Sequence, residues 1–211
     1  MQKKVRKQAW KMIETLSSIG EISKSDFESL DNDNPFMKYD FLWSLENSGS
    51  ASDAFGWVPN HLIQRDEHGH ISCFTPAYLK YNSFGEYIFD HPWVDFYNKV
   101  NIRYFPKLLI AIPFTPIRSC KFLTKLSDPK IKENSISAIK SLLDTNEISS
   151  AHINFIEDGE LGILEKNNFI KRTSKQFIWD NQNYKNFNEF LNSLNARKRK
   201  MIYKERDSLH S

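Results

Sequence analysis

The chain has 211 residues, 40% hydrophobic and 26% charged, with 29 Lys and Arg against 26 Asp and Glu for a formal net charge of +3. That is enough for one domain with a sizeable core, or one and a fraction, in a balance that excludes disordered and fibrous classes. No apolar run has the length of a membrane span, and the basic start MQKKVRKQAWKMIETL has no apolar stretch of the secretory kind.

Two cysteines without motif spacing, Cys73 and Cys120, fit a reducing compartment, so a cytoplasmic protein is expected. The charge is uneven. Residues 1–11 hold five cations and no anion, residues 197–206 hold six cations and one anion, and the middle is net acidic. Basic ends on an acidic body suit nucleic acid, an anionic surface or acidic partners, while a solvated terminal run explains residues 1–11 equally well.

In chain order, 11–16 reads as a first strand and 25–30 as a short helix capped by Ser23 or Ser25. The run Asp31 to Pro35 marks a turn, and 36–47 reads as a helix with Phe41, Leu42 and Leu45 on one face and Gly49 at its end. Residues 61–65 and 70–80 read as strands around an Asp66-Glu67-His68-Gly69 hairpin loop. A third strand is expected at 87–90, a short helical turn at 92–98, and a buried central strand at 107–113, ended by Pro113.

Asp128-Pro129 opens a helix whose core face is Ile136, Ile139, Leu142 and Leu143. A strand at 151–156, a helix at 159–167 and a last strand at 173–180 follow. Phe187, Phe190, Leu191 and Leu194 then give an amphipathic face, with Arg197-Lys198-Arg199-Lys200 directly after it. At helical spacing Lys198 falls beside Leu191, Leu194 and Met201. Either the helix breaks at Asn195, a good cap and a poor helix former, or the lysine is directed into a site. The order of elements predicts an α/β fold with at least one right-handed crossover.

The segment YNSFGEYIFDHPWVDFYNKVNIRYFPKLLIAIPFTP at 81–116 is the most distinctive. It sets aromatic residues among Glu86, Asp90, Asp95, Arg103 and Lys107, which is the composition of a binding cleft and also of a Tyr-rich core lid.

These stretches carry a resemblance. NPF at 34–36, LENSGSA at 45–51, GW at 56–57, PNHL at 59–62, PAYLK at 76–80, GEYIFDHPWVDFY at 85–97, YFPKLLIAIPFTP at 104–116, QFIW at 176–179, FNEFLNSLNARKRK at 187–200 and IYKER at 202–206 are similar to the FemAB-like "peptidoglycan biosynthesis/recognition" family, a branch of the GNAT acyltransferase superfamily. The resemblance runs over about 13–206. It implies a GNAT-like, mixed and mostly antiparallel central sheet flanked by helices, plus a C-terminal amphipathic basic helix. It also implies a basic extension at 1–10, an acyltransferase domain at 11–183, and a helix at 184–211 leading toward a second GNAT-like half, the chain being an excised fragment or a shortened gene product.

The implied chemistry is transfer of an activated acyl or aminoacyl group to an amine, from acyl-CoA or aminoacyl-tRNA, on an amine-bearing small molecule or a cell-envelope precursor. The amine must lose a proton and the carbonyl must be polarised. Glu86, Asp90 and Asp95 are candidates for base or anchor, with N-capping or pairing to Arg103 and Lys107 as the plainer role. Thr115 could offer a hydroxyl to a carbonyl oxygen or simply close the turn before Pro116. Tyr87, Trp93, Tyr97, Tyr104 and Lys107 are candidate substrate-binding residues, although any one ring could equally pack beneath the sheet. Lys107, Arg197, Lys198, Arg199 and Lys200 are candidate donor-phosphate ligands, and the basic block would equally suit an acidic second half.

One departure stands out: no glycine occurs between Gly85 and Gly159, so the glycine-rich turn that would hold a coenzyme A pyrophosphate is missing. Transfer from tRNA does not need that turn. Asp66, His68 and His70 sit on a hairpin tip, so no metal site is expected. Cys73 lacks a local base and is not a nucleophile candidate. Two other classes stay open: a non-catalytic module recognising tRNA, a peptidoglycan-like ligand or a protein, and a silent half that forms a homodimer through the C-terminal helix.

Overall fold

The computed structural model describes residues 13–30, 32–125, 128–145 and 147–208. The basic extension at 1–10, and residues 11 and 12 of the expected first strand, lie outside them. Two units are described by themselves, 1–172 and 173–211.

The first unit is mixed α/β. Its elements are β1 (Ile13–Leu16), α1 (Lys24–Glu28), α2 (Tyr39–Asn47), β2 (Val58–Pro59), β3 (His61–Arg65), β4 (Ile71–Thr75), β5 (Ala77–Lys80), α3 (His91–Lys99), β6 (Lys107–Ile110), β7 (Leu123–Thr124), α4 (Pro129–Asp144), β8 (Ala151–Ile153) and α5 (Asp158–Lys166). The strands form two four-stranded sheets, ordered β1-β3-β4-β7 and β2-β5-β6-β8. Every pair is antiparallel except β6 with β8, which run parallel with α4 between them in sequence.

The single strand expected at 70–80 is two strands because Pro76 interrupts it. Pro76 has no N–H to give to a ladder. The chain then turns from the first sheet into the second, and the break is held by a buried side chain. His61 Nδ1 accepts the Ala77 N–H at 3.2 Å, and His61 Nε2 lies 2.7 Å from Glu46 Oε1. Glu46 also accepts from Ile19 N at 2.8 Å and Ser18 Oγ at 2.9 Å. One carboxylate therefore ties α2, the turn after β1 and the strand junction together.

Alternation assigns the faces of the second sheet. Leu108 and Ile110 pack with Ile131, Ile136 and Ile139 of α4. Tyr78, Leu109 and Ala111 pack on the other side with Trp57. Lys80 and Lys107 share that second face by parity, and Leu45 of α2 and Phe114 also pack there.

Two helix starts follow the sequence expectations: Ser23 caps α1, and Asp128 caps α4 through Lys130 N–H. In the expected turn, Asn34 also caps a short 3-10 turn before α2. The expected third strand at 87–90 is not formed. Tyr87 has φ of 56°, a left-handed conformation incompatible with a ladder. The expected strand at 173–180 is also not formed; that stretch is exposed throughout and joins neither sheet. Its apolar residues promise a strand only if a neighbouring edge is there to pair with.

The second unit has α6 (Phe187–Ser193) and α7 (Ala196–Asp207). They are separate helices because Asn195 caps α7, its side chain accepting from Lys198 N. Among the described residues, no helix is long and apolar enough to cross a membrane.

Candidate functional site

Lys80 ends β5 and Lys107 begins β6, directly opposite each other in register. Both are fully buried. Two buried ammonium groups on one sheet face need nearby acceptors, and the loop after β5 supplies them.

Lys107 Nζ lies 2.6 Å from Asp90 Oδ2, 2.9 Å from Glu86 Oε2 and 3.2 Å from Ser83 Oγ. Asp90 Oδ2 also accepts from Tyr104 OH at 2.8 Å and Ser83 Oγ at 2.9 Å. Lys80 Nζ donates to Phe84 O at 3.1 Å and stands 3.9 Å over the Trp57 ring. The Trp57 indole N–H donates to that same carbonyl at 3.1 Å.

The loop that brings the carboxylates in is fixed by close packing at Gly85. Its φ is +75°, and a Cβ there would fall 2.5 Å from the Phe114 ring. Only glycine combines that conformation with so near an approach.

The two carboxylates are unequal. Burial pushes the Glu86 carboxyl above its ordinary value and outweighs the Lys107 charge beside it. For Asp90 burial acts upward too, but hydrogen bonds from Lys107, Ser83 and Tyr104 together carry the carboxyl below its ordinary value. Burial, helped by the Lys107 charge and opposed by Glu86, brings the Lys80 ammonium down to about 8. Tyr104 is raised by burial and by its bond to Asp90. Each carboxylate keeps one buried oxygen, Glu86 Oε1 and Asp90 Oδ1, that finds no donor among the described residues.

His152 on β8 lies beside this group, its ring 6.2 Å from that of Tyr104 and its Nε2 3.0 Å from Ser150 Oγ. Burial, then the Lys107 charge, lowers it to about 4, so it is neutral at physiological pH.

The structure thus gathers Glu86, Asp90, Tyr104 and Lys107 into one cluster. Tyr97 packs on Tyr104 with ring centroids 5.2 Å apart. Tyr87 and Trp93 are exposed, as are Phe84 and Phe89, and the Arg172 guanidinium sits 5.6 Å from the Trp93 ring. Asp95 is exposed on α3, away from the ion pairs. Thr115 Oγ1 donates to Pro113 O at 2.9 Å, closing the turn. Lys107 is no free phosphate ligand, since two buried carboxylates match its charge. Arg197, Lys198, Arg199 and Lys200 lie on α7 in the second unit.

Sequence reasoning passed over Lys80, Ser83, Trp57 and His152. A signal did exist for two of them. Tyr78 and Lys80 in PAYLK, Lys107 and Leu109 in KLLIA, and His152 between Ala151 and Ile153 all alternate onto one sheet face.

The place expected for a donor pyrophosphate is also altered. Between β6 and α4 the chain makes a long excursion through β7, which pairs with β4 in the other sheet. The N-terminus of α4 already holds the Asp128 carboxylate. A second anion there would meet repulsion instead of free amides.

At the far end of the parallel pair, Phe114 and Phe155 both have positive φ, 55° and 52°. Ile110 O accepts from Asn154 N, and beyond it the second strand bridges to Ser119 instead of continuing along 111–113. The two strands part there, with strain of the kind that concentrates at functional sites.

A family model described as FemAB-like, peptidoglycan biosynthesis/recognition, matches residues 5–211. Among solved structures, the crystal structure of an aminoglycoside antibiotic 6'-N-acetyltransferase from Acinetobacter baumannii aligns with a TM-score of 0.41 and 9% identity, over 82% of this chain and 97% of that one. No curated protein matches the chain.

Proposed function

Since the chain belongs to the FemAB-like family of peptidoglycan biosynthesis/recognition, we propose that its first unit is an acyl-transfer domain that passes an acyl or aminoacyl group to the amine of a cell-envelope precursor. One observation carries the reading. Two buried carboxylates, each with an unused oxygen, are interleaved along the chain with the exposed rings of Phe84, Tyr87, Phe89 and Trp93. An ammonium group is what those oxygens lack, and aromatic faces attract it further.

In this reading Asp90 is the fixed anion that orients the amine, held ionised by Lys107 and Tyr104. Glu86, whose carboxyl is pushed upward, is the proton acceptor. One ammonium proton goes to Glu86, the amine nitrogen bonds to the acyl carbon, the bond from that carbon to its carrier breaks, and the second proton lost by the nitrogen leaves on the departing sulfur or oxygen of the carrier. The carrier is a coenzyme A thioester or an aminoacyl-tRNA ester. The missing glycine-rich turn and the acidic cap of α4 favour the second.

The test is thermal unfolding of the full chain with acetyl-CoA or with aminoacyl-tRNA, followed by mass spectrometry of an amine-bearing peptidoglycan precursor. A donor at a hundredfold excess over its Kd adds about 2.7 kcal/mol to stability. Glu86→Gln should then slow amide formation by about 10²–10⁴-fold. No shift with either donor and no amide product would leave a non-catalytic recognition module. That second reading has its own support in Lys107, which already pairs with both carboxylates.

A further inference from the structure

The second unit contains a pocket of its own. It has a volume of about 450 Å³ and is lined by Trp179, Asn181, Tyr184, Asn186, Phe187 and Phe190. The Trp179 and Tyr184 planes are only 21° apart with centroids at 6.4 Å, and Phe190 closes the group edge-on to Trp179 at 5.9 Å. Trp179 is 64% exposed, so its side chain is open to a partner.

The two polar side chains are half used. Asn181 Oδ1 accepts from Tyr184 N and Asn186 Oδ1 from Glu189 N. Both carboxamide NH₂ groups remain without an acceptor among the described residues. Flat walls with two free donors call for a flat ligand bearing acceptor atoms on its edge.

Charge narrows the ligand further. The Arg206 guanidinium lies 4.5 Å over the Phe187 ring, which puts a cation at the pocket. It belongs to α7, which also exposes Arg197, Lys198, Lys200 and Lys204 against only Glu205 and Asp207. Twelve residues of helix extend about 18 Å, longer than one phosphate group. A neutral sugar or an apolar peptide side chain would leave that charge unmatched.

We propose that this unit binds single-stranded nucleic acid, with one unpaired base entering the pocket and the phosphates of the strand following α7. Stacking on Trp179 and Tyr184 supplies affinity tolerant of sequence, and the free amides read acceptor edges. The proposal is argued from the second unit alone, but it meets the acyl-transfer reading at one point: an aminoacyl-tRNA carrier is itself a nucleic acid, so a thermal shift with it that Trp179→Leu abolishes reports this unit and not the acyl-transfer site.

The experiment is a fluorescence-anisotropy titration of the full chain with a labelled single-stranded oligoadenylate, compared with the matching RNA duplex and with adenosine monophosphate, over a range of salt. The single strand should bind most tightly, with affinity falling as salt rises. Trp179→Leu should weaken it about tenfold and leave the salt slope unchanged. Replacing Arg197, Lys198 and Lys200 together by Gln should flatten the slope by about 2, near 0.7 for each phosphate that is no longer neutralised. Trp179 is exposed, so its replacement should not unfold the unit. Asn181→Asp gives a second check, because a carboxylate can still accept from Tyr184 N but no longer donates; it should reduce binding to the strand. Equal binding of duplex and single strand, a mononucleotide as tight as the strand, or Trp179→Leu without effect would each overturn the proposal.

Discussion

Lys107 has two carboxylate partners and no exposure, so its role in stability can be separated from any role in chemistry. Removing one member of a buried ion cluster costs more than the cluster is worth, because the remaining charges are stranded without a counter-ion. Lys107→Met should therefore destabilise the chain by about 3–5 kcal/mol in urea unfolding. Replacing Glu86 by Gln and Asp90 by Asn in the same chain should recover much of that deficit. The single variant should also recover as pH falls and the stranded carboxyls take protons. His152 makes an opposite prediction in acid. Its folded value of about 4 lies below its ordinary 6.5, so between those values the unfolded chain holds a proton that the folded one lacks. Stability then rises with pH across that window. His152→Gln should remove a rise of about 1–3 kcal/mol, read as a flatter plot of urea midpoint against pH.

At the level of elements, Gly85 and Gly69 test the loop geometry. Both have positive φ, 75° and 85°, so alanine should cost each about 1–2 kcal/mol of backbone strain. An added Cβ at Gly69 meets nothing, whereas at Gly85 it strikes the Phe114 ring and approaches Trp57. Gly85→Ala should exceed Gly69→Ala by about 1–3 kcal/mol in denaturant unfolding, the usual cost of overpacking. Equal destabilisation would mean that the 81–90 loop yields and does not pin the carboxylates. This loop also shows where the sequence stops being legible. Elements with a local cause could be read directly: α1 from Ser23, α4 from Asp128-Pro129, the hairpin from Gly69, the break at Asn195. Elements that depend on a distant partner could not. The residues at 87–90 have strand composition, yet Tyr87 turns left-handed so that Glu86 and Asp90 can both reach Lys107. Residues 173–180 look like a strand but have no edge to join. Leu123–Thr124 are too short to signal a strand and become one because β4 offers a free edge. In the cluster itself, chemistry was visible in Glu86, Asp90 and Tyr104. Lys80 and His152 only acquire meaning once alternation in three separate strands is superposed.

For the whole molecule, the buried titratable groups set an alkaline profile that climbs above pH 8 and turns downward near pH 10. Lys80 is brought to about 8 by burial, and so is Lys121, against an ordinary 10.5. Lys121 Nζ is enclosed by Ser119 O, Ser119 Oγ and Phe155 O, where the strands part. As pH rises through 8 the folded chain releases up to two protons that the unfolded chain still binds, so stability increases. The cysteines act the other way. Burial raises Cys73 to about 11, and burial with the nearby Glu160 charge raises Cys120 to about 12, against an ordinary 9.0. Above pH 9 the unfolded thiols release protons that the folded ones keep. Tyr78 and Tyr104, both raised by burial, add the same sign above pH 10. The urea midpoint should therefore climb between pH 8 and 9 by an amount worth about 1–2 kcal/mol and turn downward near pH 10. Lys121→Met should lower stability at every pH by orphaning its acceptors, and it should also reduce the climb; the slope, not the level, reports the lysine. A profile that falls monotonically from pH 7.5 would show that Lys80 and Lys121 keep their protons in the fold. The face that joins Lys80 to Glu86 would then be wetter than its burial implies, and the amine-binding role given to those carboxylates would be deprived of its low-dielectric setting.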